Sequence, residues 1–144
     1  MSLEQSTVEG QSEPLFGTVF TPSMLTARYT PEGGWGEFEI GPRRPLELDP
    51  ATVALHYGQT AFEGLMAHRQ DDGGFALFRP TDHAARLQRS CERLAIPPIP
   101  LAQCVEQWRA LVRHEQPYMP DDPHTGIYLR PLIYGADAVL GARP

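Results

Sequence analysis

Residues Thr60–Pro80, TAFEGLMAHRQDDGGFALFRP, contain the pattern that decides the fold of this chain. A strand-like run over 60–69 is rich in apolar and aromatic residues, and the run over 75–80 has the same character. Between them, QDDGG at 70–74 carries the aspartates and glycines of a tight turn. The three pieces together predict a β-hairpin.

Two amphipathic helices are predicted after this hairpin. TDHAARLQRSCERLAI, over 81–96, has Thr81 or Asp82 in place to cap its N-terminus. Its apolar residues at helical spacing are Leu87, Cys91 and Leu94. A PPIP break separates it from LAQCVEQWRALVRHEQ, over 101–116. The inward-facing residues expected there are Leu101, Cys104, Val105, Trp108, Leu111 and Val112.

Further strands are predicted on either side of this unit. FGTVFTPSMLTARYT, over 16–30, alternates loosely and indicates one or two strands broken at Pro22. One side of another strand can be lined by Trp35, Phe38 and Ile40. IYLRPLIYGA, over 127–136, is typical of a strand, in which Pro131 indicates an edge or a bulge.

These elements predict one layered domain. A short helix over 50–56 is expected, because Asp49 can act as its N-cap and a proline follows in the first turn. The fold class is α/β (α+β-like), with a mixed sheet and two main amphipathic helices over 15–144. Residues 1–14 are polar, lack apolar periodicity and are expected to form a mobile arm.

Composition limits the classes of function. The net charge of −6 argues against nucleic acid or an anionic membrane as partner. No apolar run approaches the roughly 18 residues of a membrane span, and the polar N-terminal stretch lacks a signal-peptide core, so a cytoplasmic location is expected. The five histidines show no metal-ligand spacing, and no metal site is expected. Both cysteines fall on helix stripes and are expected to be buried, reduced thiols.

Arginines and aromatic residues are the candidates for binding, since all twelve basic residues are arginine and the chain has no lysine. Arg86 lies near the N-terminus of the first long helix, where it can clamp a phosphate or carboxylate or simply face solvent. Tyr128 and Arg130 share one side of a strand, which suits carboxylate recognition or a surface cation. Tyr57 and Phe62 can line a pocket or the core.

The segment HYGQTAFEGLMAHR, over 56–69, resembles the N-terminal domain of branched-chain amino acid aminotransferases. These are fold-type IV enzymes that use pyridoxal 5′-phosphate. Four more segments resemble that family in the same order: FGTVFTPSMLTARY, GWGEFEI, LFRPTDHAARLQRSCERLAIP and IYLRPLIYGADAVLGARP. The resemblance covers nearly all of 16–144 and implies the small domain of such an enzyme.

The resemblance also implies roles for particular residues. Arg86 matches the arginine that binds the cofactor phosphate. The residues that match the pocket for an aliphatic side chain are Phe16, Phe62 and Tyr128. Arg130 matches the arginine that shapes the substrate-carboxylate site. In the homodimers of this family, certain residues of one subunit reach into the active site of the other. The residues that match them are Tyr57, Leu140 and Ala142. The implied reaction moves the amino group of leucine, isoleucine or valine to 2-oxoglutarate.

The absence of lysine departs from the family. Its Schiff-base lysine lies in a second, larger domain together with most of the cofactor contacts. No catalytic residue is therefore assigned in this chain, which is expected to be inactive and not to retain pyridoxal 5′-phosphate when alone. Alternatives are a free-standing, non-catalytic binding module, or a related fold-type IV enzyme such as a D-amino acid aminotransferase or aminodeoxychorismate lyase. The HYGQ and YLRP segments favour the branched-chain family.

Overall fold

A computed structural model describes residues 15–122 and 124–141. The proposed N-terminal arm, 1–14, and Ala142 lie outside the described residues. The elements in chain order are β1 Ser23–Thr26, β2 Tyr29–Thr30, β3 Gly34–Trp35, β4 Glu39–Pro42, α1 Val53–Tyr57, β5 Thr60–Phe62, β6 Leu65–Arg69, β7 Phe75–Leu77, α2 Pro80–Arg93, α3 Leu101–Glu115, a 3-10 turn Gln116–Tyr118, β8 Ile127–Leu129 and β9 Leu132–Tyr134. None of the helices in this part of the chain is long and apolar enough to cross a membrane.

The hairpin prediction is confirmed. β6 and β7 pair antiparallel, with Ala67 opposite Leu77. The Gln70 N–H donates to the Gly74 carbonyl at 3.0 Å and closes the turn. Within that turn Gly73 has φ +82°, a left-handed conformation that glycine adopts without steric cost.

The returning strand pairs with the first half of the hairpin in one continuous register. β9 pairs with β5 and β8 pairs with β6, both antiparallel. The ladder is interrupted where Glu63 and Gly64 face Arg130 and Pro131, because proline has no N–H to donate. The Glu63 N–H still reaches the Pro131 carbonyl at 3.0 Å, so the strands stay aligned across the gap. Of the edge or bulge expected at Pro131, the structure has the edge, because β8 and β9 are both the outer strands of their sheets.

The α+β character and the two amphipathic helices are confirmed. Where we expected one mixed sheet, the described strands pair only antiparallel and form four small sheets. β2–β3 and β6–β7 are hairpins joined by short turns, and β1 and β4 flank the first of them. The chain returns from α3 so that β8 and β9 run opposite to β6 and β5, and all described pairs are therefore antiparallel. Where one or two strands broken at Pro22 were expected within 16–30, the structure has two, β1 and β2, and both lie after Pro22. Phe38 falls between β3 and β4 rather than within a strand.

The ends of the helices differ from the sequence-based expectation. α2 is preceded by Arg79 in a left-handed conformation, and neither Thr81 nor Asp82 caps it, since both lie inside the first turn after Pro80. The helix ends at Arg93, so Leu94 leaves the helical face and is 37% exposed. Its expected core position is taken by Ile96, whose N–H donates to the Cys91 carbonyl at 2.9 Å.

The short helix also starts later than expected. α1 begins at Val53 with Thr52 as its N-cap residue. Asp49 accepts the Ala51 N–H at 2.7 Å, which makes a local turn upstream of the helix. The helix ends at Tyr57, where Gly58 adopts φ +64°. α1 therefore presents Tyr57 at its last position.

The core lies between the two long helices and the inner face of the central strands. Its buried members are Ala61, Leu65, Ala67, Ala84, Leu87, Cys91, Ile96, Cys104, Trp108, Val112, Met119, Leu129 and Ile133. Both cysteines are buried and free, as expected. Burial raises the pKa of the Cys104 thiol to about 12, so it stays protonated.

Candidate active-site face

Four of the residues singled out in the sequence meet beside the gap in the ladder. The Phe16 and Tyr128 rings contact edge to face, with centroids 5.0 Å apart. The Arg130 guanidinium carbon lies 4.8 Å from the Phe62 ring centroid and 5.3 Å from the Tyr128 ring centroid. Arg130 Nη2 also donates to the Tyr128 hydroxyl at 3.2 Å. Together they form an exposed aromatic wall that carries one cation.

Gly64 is required by the position of Tyr128. A Cβ at Gly64 would overlap the Tyr128 hydroxyl. A glycine in the ladder gap thus lets the tyrosine ring lie directly against the backbone, where it meets Phe16 and Arg130.

Replacing Gly64 with alanine should therefore push the Tyr128 ring away and cost about 1–3 kcal/mol of unfolding free energy. A urea unfolding curve measures the loss. Gly41→Ala is the matched control, because a Cβ at this other strand glycine would meet nothing within 4 Å. Equal midpoints for the two variants would contradict the close approach.

Arg86 lies beside this wall and is paired with a buried carboxylate. Its Nε and Nη2 donate to Glu63 Oε1 and Oε2, the second bond being 2.7 Å long. The Arg86 side chain is 59% exposed, whereas that of Glu63 is 3% exposed. The hydrogen bond to Glu63 and the charge of Glu63 raise the pKa of Arg86. The ion pair adjoins the aromatic wall at Gly64, whose N–H donates to Glu63 and which lies against the Tyr128 hydroxyl.

The Glu63 carboxylate has two further partners. The Gly64 N–H donates to Oε2 at 3.1 Å, and His83 Nδ1 lies 3.0 Å from the same oxygen. Burial would raise the pKa of Glu63, but the hydrogen bonds from Arg86, His83 and Gly64 more than offset it and lower the pKa to about 2. Glu63 is therefore an anion at any physiological pH.

Part of the Arg86 guanidinium is left available. A guanidinium has five N–H groups, and the Glu63 carboxylate uses the edge formed by Nε and Nη2. Nη2 also lies 3.4 Å from His83 Nδ1. Within residues 15–122 and 124–141, Nη1 has no hydrogen-bond partner. An oxyanion can bind that free end without displacing Glu63.

Tyr57 and Leu140 form a second, separate contact. The Tyr57 hydroxyl donates to the Leu140 carbonyl at 2.6 Å. The two residues are 51% and 68% exposed. Across the described ranges, no hydrogen bond or ring contact joins this pair to Phe62, Tyr128 or Arg130.

Glu63 and His83 were missed as site residues in the sequence. The signal was present for Glu63, because it falls in the inward-facing row of Ala61, Leu65 and Ala67. A carboxylate in such a row needs a cation as partner. His83 lies one turn before Arg86 on α2 and has no comparable sequence signal. Among the described residues, no group of three or more His, Cys, Asp or Glu side chains is arranged to hold a metal ion.

Comparison with known proteins identifies relatives of one kind. No family model matches the chain. A probable branched-chain-amino-acid aminotransferase of Streptomyces coelicolor is 42% identical over 136 residues, which cover 92% of this chain and 37% of the relative. A branched-chain-amino-acid transaminase of Bacillus subtilis is 41% identical over 128 residues, covering 89% of this chain and 36% of the relative.

The solved structures that are similar to this chain are also branched-chain amino acid aminotransferases. The branched-chain amino acid aminotransferase of Escherichia coli has a TM-score of 0.56 and 28% identity, over 68% of this chain and 30% of that chain. The T.th. branched-chain amino acid aminotransferase complexed with N-(5′-phosphopyridoxyl)-L-glutamate has a TM-score of 0.57 and 28% identity, over 70% of this chain and 32% of that chain.

The matches are limited to part of each relative. This chain spans about a third of the length of the curated relatives it matches, at 37% and 36% of their residues. The matched share of the two solved enzymes is 30% and 32% of their chains. Over 89–92% of its residues, the chain is homologous to about a third of a branched-chain amino acid aminotransferase, and over 68–70% of its residues it has the mixed helix and strand fold of that part.

Proposed function

We propose that this chain is the small domain of a branched-chain amino acid aminotransferase. The whole protein would transfer the amino group of leucine, isoleucine or valine to 2-oxoglutarate. The observation that carries the proposal is that the aromatic wall with Arg130 lies next to Arg86, which is exposed and held by Glu63. The chain that carries this arrangement is 42% identical to such an enzyme.

The aromatic wall supports the choice of substrate. Phe16, Phe62 and Tyr128 offer apolar ring surface, which suits an aliphatic side chain selected by shape. Arg130 lies against two of these rings and offers a fixed positive charge to a carboxylate. One surface thus suits both ends of a branched-chain amino acid.

The residues present also fit one part of pyridoxal 5′-phosphate. The free end of the Arg86 guanidinium suits a phosphate oxygen, and Glu63 holds the other end. When bound, this cofactor withdraws electrons from the reacting amino acid. The chain has no lysine to attach it, so we infer that the lysine lies outside these 144 residues and that the chain alone does not retain the cofactor.

Further parts of the proposal concern assembly and location. We infer that 15–144 forms the small domain and that the protein is a homodimer. Tyr57, Leu140 and Ala142 would then reach the partner's active site, a role supported by the exposure of the first two. Two free, buried thiols are compatible with a reducing, cytoplasmic location.

The activity can be tested with two proteins. The 144-residue chain should give no glutamate from leucine and 2-oxoglutarate, since it has no lysine. The product of the reading frame extended to its natural end should give glutamate with leucine, isoleucine or valine. Failure with all three amino acids would contradict the substrate proposal. Turnover of D-alanine in their place would favour the D-amino acid branch of the fold.

A further inference from the structure

Glu63 links the two parts of the candidate site. Its carboxylate is 3% exposed and receives two N–H groups from Arg86. The same carboxylate is anchored by the Gly64 N–H at 3.1 Å and by His83 Nδ1 at 3.0 Å. Arg86 is therefore held by an anion that is itself fixed on two other sides.

This anchoring matters because Arg86 is otherwise poorly confined. Its side chain is 59% exposed, and an exposed arginine samples many rotamers. An anion that binds such a side chain must first order it, which weakens the binding. The pair with Glu63 fixes the Nε and Nη2 edge and thereby orients Nη1 before any anion arrives.

We infer that Glu63 is a positioning residue, which holds the Arg86 guanidinium in the orientation that binds a phosphate oxygen. This inference rests on the proposed phosphate role of Arg86. An opposite effect must be weighed, because a carboxylate close to the site repels a phosphate dianion. The orientation of Arg86 by Glu63 favours phosphate binding, whereas the negative charge of Glu63 opposes it. A neutral, nearly isosteric replacement of Glu63 therefore weakens phosphate binding if orientation dominates and strengthens it if charge repulsion dominates.

Glu63→Gln is that replacement. A suitable probe is pyridoxine 5′-phosphate, which has the phosphate but no aldehyde to react with the N-terminal amine. Its ³¹P NMR shift is followed while the 144-residue chain is titrated, with pyridoxine as the phosphate-free competitor. The shift reports weak, rapidly reversible binding, which a chain that does not retain the cofactor through purification still shows at high concentration. If orientation dominates, the variant binds the probe about tenfold more weakly than the wild type. Equal or tighter binding by the variant would overturn the inference.

A second readout distinguishes positioning from a general loss of structure. In the wild type the Arg86 Nε–H should be protected from exchange and visible by NMR without ligand, and Glu63→Gln should weaken that protection. Protection that is unchanged in the variant would overturn the inference.

A double-mutant cycle tests whether Glu63 acts through Arg86. Arg86→Ala should abolish saturable probe binding, and adding Glu63→Gln should then change nothing further. An equal loss from Glu63→Gln in both backgrounds would overturn the positioning role. Wild-type chain without saturable binding, or binding that survives Arg86→Ala, would overturn the phosphate role itself.

Two more variants complete the design. Arg89→Ala removes another exposed arginine of α2 and should leave probe binding unchanged. His83→Gln weakens one anchor of the Glu63 carboxylate and serves if Glu63→Gln does not fold. It should reduce probe affinity about threefold, and an unchanged affinity would overturn the inference.

Discussion

Replacing Arg86 with alanine should lower the thermal midpoint of unfolding by about 5–10 °C near neutral pH. The arginine itself is exposed, but its removal leaves the Glu63 carboxylate buried without its main cationic partner. Burial disfavours a charged carboxylate, and the loss of Arg86 removes the largest of the interactions that oppose this effect. The instability therefore originates at Glu63 rather than at the surface.

The same variant should alter the dependence of stability on acid. In the wild type the pKa of Glu63 is lowered from 4.5 to about 2. The stability that this shift provides is fully present above pH 4.5 and is lost as the pH falls towards 2. Without Arg86 the pKa of Glu63 rises, so the Glu63 part of this acid-dependent loss becomes smaller. Wild type and variant should become more similar in stability as the pH falls.

Thermal melts at neutral pH and through this acid range test both statements. Arg89→Ala is the matched control, because Arg89 is another exposed arginine on α2, and it should change the midpoint by about 1–2 °C at most. If Arg86→Ala melts like Arg89→Ala, or if its deficit is the same at pH 7 and in acid, the ion pair does not stabilise the fold.

The sequence permitted prediction of those features that depend on neighbouring residues. The hairpin turn and the two long amphipathic helices follow from local spacing, and the structure has them. The ends of α2 depend on more than spacing. Arg79 takes a left-handed conformation before Pro80, and Ile96 replaces Leu94 in the core because the chain turns back at Ala95, where φ is +52°. Neither backbone choice is visible in a periodic pattern.

The candidate site was predicted only in part, because some of its contacts join residues that are distant in the sequence. Phe62, Tyr128 and Arg130 were found through a resemblance and through strand alternation, and the structure brings them together. The partner of Arg86 was not found, since Glu63 is 23 residues away and meets it only when α2 packs on the strands. A buried carboxylate in an apolar strand row shows that a cation is needed but not which one.

Replacing Trp108 with alanine should cost about 3–5 kcal/mol of unfolding free energy. Trp108 is 5% exposed and lies in the middle of the core face of α3. α3 packs against α2, and the core that they share includes Cys91 of α2 and Cys104 of α3. Removal of the indole leaves a cavity where the two helices and the strands meet.

The consequence should extend to the candidate site, because α2 carries both His83 and Arg86. A domain of this kind is stable by about 5–15 kcal/mol in total, so Trp108→Ala should populate unfolded molecules and release the Arg86 pair with them.

Urea unfolding, followed by circular dichroism and by the Arg86 Nε–H signal, measures both effects. Leu111→Ala is the control, since Leu111 is only half-buried on the same helix and should cost about 1–2 kcal/mol. Coincident transitions by the two signals would mean that core and site unfold together. A Trp108→Ala loss no larger than that of Leu111→Ala would mean that α3 contributes little to holding α2 in place.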